Sequence, residues 1–321
     1  MKPSVDDPPR GYAAHAERAG AGAAPAADFL DLAGPDAARF ANGYLTCDTR
    51  ALAEHRHARG FLTGRDGKVL ADLDALALPG RLRLRLPAGA GAEVRAHLGR
   101  YLLADRVELE PADGLARLRL AGPAAPAVLA AAAIESPAPG AARPVELGGC
   151  HALLLAMERG RQPRFEIWSA AAGLDALEAA LVGAGAERAS AAAFETLRVE
   201  AGELAFGIDY GPESFPQESG DEGAVSYTKG CYLGQEVVAR LRWRGQAQRI
   251  PCGLRFPATV PPPGTVVLHD GRPAGRATSV ARSPRCGAIG LALLHRRVGE
   301  PPARLELEGG YVAELAPLPF I

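Results

Sequence analysis

One segment is chemically dense: Lys229-Gly230-Cys231-Tyr232-Leu233-Gly234-Gln235-Glu236. The thiol of Cys231 lies one glycine away from the ammonium of Lys229, and a nearby positive charge favours thiolate over thiol. A thiolate is both a nucleophile and a ligand for soft metals. Gly230 and Gly234 permit close backbone approach by a ligand or another segment. Glu236 adds a carboxylate beside the amide of Gln235. The alternative is plain packing, because a lone free cysteine commonly serves as a small buried filler. Downstream, Arg240, Arg242 and Arg244 repeat with period two. On a strand they share one face, with Trp243 on the other. That face is either a cationic strip for a carboxylate-bearing ligand or a solvated strand surface.

The rest of the titratable inventory is sparse. The five cysteines are Cys47, Cys150, Cys231, Cys252 and Cys286, and no two form a Cys-x-x-Cys pair. No Cys/His pairing has zinc spacing. A resident iron–sulfur cluster normally takes four thiolates, often closely spaced, so no metal site is assigned. The seven histidines form no metal-spaced pair either. A formal net charge of -1 leaves no basic excess to neutralise phosphates, which argues against nucleic acid as a partner. No apolar run is long enough to span a bilayer, which argues against a membrane partner. Residues 1–26 carry early acids at Asp6 and Asp7 and lack the apolar centre of a signal peptide, so they read as a disordered tail and the compartment as the reducing cytoplasm.

These residues need a scaffold, and 321 residues suit two or three domains. Phe29 to Leu32 alternates as a strand, and Asp36 stands near the start of a helix that continues to Phe40. Phe61 to Thr63 and Val69 to Leu73 flank Arg65-Asp66-Gly67-Lys68, a hairpin signal. Leu82, Leu84 and Leu86 alternate with Arg81, Arg83 and Arg85, predicting a half-buried strand. Ala92 to Leu103 predicts a helix and Val107 to Glu110 a strand. Leu115 to Leu120, His151 to Ala156 and Phe165 to Trp168 predict strands, Ala124 to Ile134 and Leu174 to Val182 helices, with Trp168 in the core. From Arg249 onward, short strands alternate with turns, the pattern of a small β-barrel or sandwich. The class is α+β. The boundaries read as an N-terminal α+β domain over 27–112 completed by parts of 195–245, a second over 113–194, a motif-bearing segment over 195–248 and a barrel over 249–321.

Lys229-Gly230-Cys231-Tyr232-x-Gly234-Gln235-Glu236-x-Val238-Ala239-Arg240, followed by Arg244-Gly245, resembles the signature of the YgfZ family, folate-binding proteins implicated in maintaining iron–sulfur enzymes. Arg198-x-Glu200-Ala201-Gly202 and Gly207-x-Asp209 resemble the element this family shares with the glycine-cleavage T-protein, an aminomethyltransferase. Gly34-x-Asp36 and Leu45-Thr46-x-Asp48 resemble the family's N-terminal strand and helix. The resemblance implies two intertwined α+β domains and a C-terminal barrel around a central pocket for tetrahydrofolate. It implies that Glu200 contacts the pterin ring, that Phe194 stacks on the ligand, and that Arg198, Gln235 and Arg240 belong to the folate site. Cys231 and Lys229 carry the chemistry. Aminomethyltransferases place an acid near the folate after their second sheet strand, and residues 85–91 contain none here. The implied role is a tetrahydrofolate-binding accessory protein whose partners are the iron–sulfur assembly machinery or client enzymes. A folate-dependent aminomethyltransferase is the alternative, and a redox-sensing thiol protein is a third reading.

Overall fold

Alternation at period two builds the heart of the molecule. In a computed structural model describing residues 8–321, Arg81–Pro87 is a strand with Leu82, Leu84 and Leu86 fully buried under helices Ala37–Asn42 and Gly91–Gly99. It belongs to a five-stranded antiparallel sheet ordered 57–63, 69–78, 81–87, 27–33, 108–111. The hairpin signal holds: Gly67 adopts φ +76° in the turn joining the first two of these strands.

A second sheet repeats the device. Its order is 187–188, 20–23, 115–121, 164–170, 150–156, 142–147. Leu118 and Leu120 from one strand and Phe165 and Ile167 from another pack under helices Ala125–Ala131 and Leu174–Gly183. The opposite face carries Arg117, Arg119, Arg164 and Glu166. On the first sheet the corresponding face carries Arg59, Asp72, Asp74 and Arg85. These polar faces point inward to a shared central cavity. The half-buried strand was therefore correctly read, but of its arginines Arg85 faces the cavity rather than bulk water, while Arg81 is exposed. Phe29 and Trp168 meet edge to face, centroids 5.1 Å apart, in a small cluster that joins the sheets.

The C-terminal strands 249–255, 287–295, 272–283, 265–269, 304–307 and 311–316 close into a barrel, as their short length and turn signals imply. The class is α+β with a terminal barrel. Among the described residues, no helix is long and apolar enough to cross a membrane.

Two expectations fail. The proposed tail over 1–26 is ordered from residue 8 on; residues 1–7 lie outside the described residues. Helix Tyr12–Glu17 buries Tyr12, Ala14 and Ala16, and Gly20–Ala23 is an interior strand of the second sheet. Its glycine and alanine content reflects crowding: a Cβ on Gly22 would meet the Ala189 carbonyl at 2.3 Å. Second, Arg240, Arg242 and Arg244 do not lie on a strand. Gln235–Trp243 is a helix. Gly234 starts it at φ +83°, where a Cβ would meet the Gly64 carbonyl oxygen at 2.3 Å, and Glu236 sits in its first turn, where a negative charge suits the helix dipole.

Candidate functional site

The central cavity measures about 630 Å³ and lies between the two sheets, with residues 204–208 closing one side. Its size falls within the roughly 300–1,000 Å³ of small-molecule sites. Charge dominates its walls. Arg85 pairs with Asp74, Arg59 with Asp72 at 2.7 Å, Arg164 with Glu203 at 2.9 Å, and Arg117 with both Glu166 oxygens at 2.9 Å. Burial opposes ionisation of Asp74, but Arg85 and Arg59 outweigh it and hold the carboxyl below its usual range. Burial likewise opposes the charge on Glu166, and Arg117, Arg119 and Arg85 hold it well below the ordinary glutamate value. Pro87, Met157, Leu204 and Phe206 supply apolar wall between the charged groups.

The Cys231 segment lies outside that cavity and is anchored on two sides. The Lys229 ammonium donates to the carbonyl oxygens of Asn42 at 2.7 Å, Cys47 at 2.9 Å and Leu45. Its Nζ also stands 5.0 Å from the centroid of the Tyr232 ring. Burial pushes the amine down to about 8, against the opposing charge of the nearby Asp48 carboxylate. On the other side, Thr63 Oγ1 donates to the Leu233 carbonyl at 2.6 Å and Leu233 N–H donates to the Gly43 carbonyl at 3.0 Å. Gln235 Oε1 accepts the Tyr232 N–H at 3.3 Å. Between these fixed points Cys231 is exposed. Cys47 and Asp48 line the cavity, so the loop gripped by Lys229 forms part of its wall.

The sequence-derived site residues therefore separate. Of Cys231, Lys229, Glu200, Phe194, Arg198, Gln235 and Arg240, only Arg198 lines the cavity. Its guanidinium is occupied by Glu195, Asp209 at 2.7 Å, Ser279 and the Glu203 carbonyl. Glu200 is fully buried and does not reach the cavity; it accepts from Tyr12 and Ser283 and pairs with Arg285. Asp209 accepts from Ser279 at 2.6 Å and from Thr278. The Arg198-x-Glu200 and Gly207-x-Asp209 element thus fastens a helix to barrel strand 272–283. Phe194 is buried against Tyr12, Ala189 and the His15 ring, 4.8 Å away, with no free face for a ligand. Arg240 is exposed on its helix. Lys229 does not serve Cys231 as a free neighbouring cation, because its ammonium is spent on three carbonyls. Asp72 and Asp74 are cavity acids that the search of residues 85–91 missed; they come from the preceding strand. Arg117 and Arg119 were also missed, although the Arg117-Leu118-Arg119-Leu120 alternation marks one face of a strand. Among the described residues, no group of three or more His, Cys, Asp or Glu is placed to hold a metal ion.

The family profile of the GCVT N-terminal domain matches residues 16–229, about two thirds of the chain. The chain belongs to the GCVT N-terminal domain family. This GCVT-family protein is 33% identical over 290 residues to an aminomethyltransferase of Frankia alni, covering 84% of the chain and 76% of that protein. It is 27% identical over 300 residues to the tRNA-modifying protein YgfZ of Edwardsiella ictaluri, covering 91% and 89%. The crystal structure of the glycine cleavage system aminomethyltransferase T from Bartonella henselae superposes with a TM-score of 0.85 at 22% identity, covering 97% and 88%, and shows the same fold. The Arg198 segment lies within the residues the family profile matches, whereas Cys231 lies just beyond them, and both kinds of relative stand at comparable identity.

The thiols of this GCVT-family protein should react in order of exposure. Iodoacetamide at neutral pH labels Cys231 first and Cys150 and Cys286 more slowly. Cys47 and Cys252, whose thiols burial pushes up to about 12 and about 11, label only on unfolding. Peptide mass spectrometry over time reads the order, and equal rates at Cys47 and Cys231 would contradict the described exposure.

Proposed function

We propose that this protein binds tetrahydrofolate in the central cavity and acts through Cys231 as an accessory factor for assembling or repairing iron–sulfur enzymes in the cytoplasm. The observation that carries the reading is the Lys229–Gly234 anchor, which presents one exposed thiol from a segment fastened to the cavity wall. Its partners are the assembly machinery or the client enzymes, which bring the cluster as cargo. The cavity suits the folate: it has the volume, apolar wall at Pro87, Met157, Leu204 and Phe206 for a flat ring, and buried Nε atoms of Arg117 and Arg119 lacking acceptors among the described residues. When bound, tetrahydrofolate supplies a carrier for one-carbon units. The protein's own residues bind and orient it: apolar side chains pack the ring and arginines receive oxygen atoms. The YgfZ relatives are named for tRNA modification. A client that modifies tRNA with an iron–sulfur cluster reconciles that name with a formal net charge of -1.

The aminomethyltransferase relatives support a second reading, a folate-dependent one-carbon transferase. Asp72 and Asp74 remove the argument that the cavity lacks acids. Both are engaged by Arg59 and Arg85, however, which leaves neither as a free base. Purified protein given tetrahydrofolate and an aminomethylated lipoyl carrier should release no ammonia and form no methylene-tetrahydrofolate above a protein-free control. Catalytic release of both would establish the transferase reading instead.

A further inference from the structure

Among the described residues seven arginines line the central cavity, and six of them stand within 3.1 Å of a carboxylate oxygen. Arg59 holds Asp72 and Asp221, Arg85 holds Asp74, Arg117 holds Glu166, Arg159 holds Asp221, Arg164 holds Glu203 and Arg198 holds Asp209. Arg119 is the seventh. Among the described residues its side chain donates no hydrogen bond, and its buried Nε has no acceptor. The nearest carboxylate oxygen is Glu166 Oε1, 3.7 Å away. Glu166 is already committed to Arg117 and to Trp168 Nε1, the latter at 3.0 Å. The remaining neighbour is the Phe194 ring, whose centroid lies 5.8 Å from the guanidinium carbon.

A guanidinium in this position is costly. Burial lowers the Arg119 pKa, and Arg117, Arg164 and Arg85 push the same way against the single attraction of Glu166. A charge removed from water without a hydrogen-bonded counter-charge destabilises the fold. Its planar fork offers parallel N–H donors that match one kind of group closely, an oxyanion such as a carboxylate or phosphate. The pterin of a reduced folate is neutral, whereas the glutamate tail carries two carboxylates.

We propose that Arg119 is an oxyanion subsite in the central cavity and that it receives a carboxylate of the tetrahydrofolate tail. The assignment of the tail rests on the folate reading above. The subsite itself rests on the one cavity arginine, among the described residues, whose nearest carboxylate oxygen stands at 3.7 Å, beyond hydrogen-bond distance. Ligands with a reduced pterin but no tail then lack the group that this wall selects.

The test compares wild type, Arg119→Gln and Arg119→Lys by calorimetry with tetrahydrofolate and with 6-methyltetrahydropterin, which has no tail. Wild type should prefer tetrahydrofolate by at least about tenfold, and Arg119→Gln should lose about 10- to 100-fold for tetrahydrofolate with little change for the tailless pterin. Arg119→Lys keeps the charge without the fork and should recover part of the preference, which also guards against a glutamine variant that fails to fold. Without ligand, Arg119→Gln should melt at or above wild type, because it removes a partly buried charge that has no hydrogen-bonded counter-charge. An unchanged tail preference in both variants overturns the proposal, as does a wild type without that preference. If wild type binds neither pterin, the folate reading fails. Thermal shifts with glutarate and inorganic phosphate then judge the subsite alone. Stabilisation of wild type but not of Arg119→Gln upholds it and shows which oxyanion fits; no difference overturns it.

Discussion

Cys231→Ser leaves the melting temperature of the protein within about 1 °C of wild type and abolishes its support of iron–sulfur enzymes. The first half follows from exposure, because surface substitutions away from special features stay within about 0.5 kcal/mol. The fixed points of the segment lie in Lys229, Leu233, Gly234 and Gln235, and none of their bonds uses the Cys231 sulfur. Serine keeps the approximate size but loses thiolate nucleophilicity and affinity for soft metals. In a strain lacking the protein, a serine copy should therefore accumulate normally yet fail to restore the activity of several iron–sulfur enzymes. Full restoration would remove Cys231 from the mechanism. A fall in melting temperature that parallels the lost activity would make it a packing residue.

Glu200→Ala costs about 3–5 kcal/mol of stability, the range for breaking a buried ion pair from one side. The carboxylate is 0% exposed and joins three parts of the chain: Tyr12 from the N-terminal helix, its own helix 191–200, and Ser283 with Arg285 from the barrel end. Alanine removes the acceptor of the Tyr12 and Ser283 hydroxyls and the counter-charge of Arg285 at once, leaving Arg285 only its bond to the Tyr12 hydroxyl among their side-chain contacts. The melting temperature should fall by several degrees, and amide hydrogens in Tyr12–Glu17 should exchange faster as that helix loses its tether. Glu200→Gln retains an acceptor for one or two of the donors and should fall between alanine and wild type. A variant with wild-type stability and exchange but weakened folate affinity would restore Glu200 to the binding site.

What the sequence made legible was local and periodic. Leucines at 82, 84 and 86 identify a half-buried strand because neighbouring side chains on a strand alternate faces. The short strands and turns after Arg249 announce the barrel for the same reason. Burial of the arginine face was not legible. It depends on a second sheet, built from residues 20–23 and 115–188, placing its own arginines and Glu166 opposite. Lys229 misled in a similar way. Its spacing from Cys231 suggests a pair, but its ammonium reaches carbonyls at Asn42, Leu45 and Cys47, more than 180 residues earlier. Arg240, Arg242 and Arg244 fit a strand period, yet Gly234 and the first-turn Glu236 start a helix there. The Gly20–Ala23 strand has no side-chain pattern to read, since it survives in a crowded sheet by having almost no side chains.

The central claim is that the cavity between the sheets is a folate site, and a calorimetric titration of the purified protein with tetrahydrofolate under anaerobic conditions tests it most directly. The protein should show one saturable site per chain with a dissociation constant of about 1–100 μM, equivalent to roughly −8 to −5.5 kcal/mol. Cys231→Ser should bind with the same affinity, because its side chain does not line the cavity. A flat titration with folded wild-type protein would contradict the account.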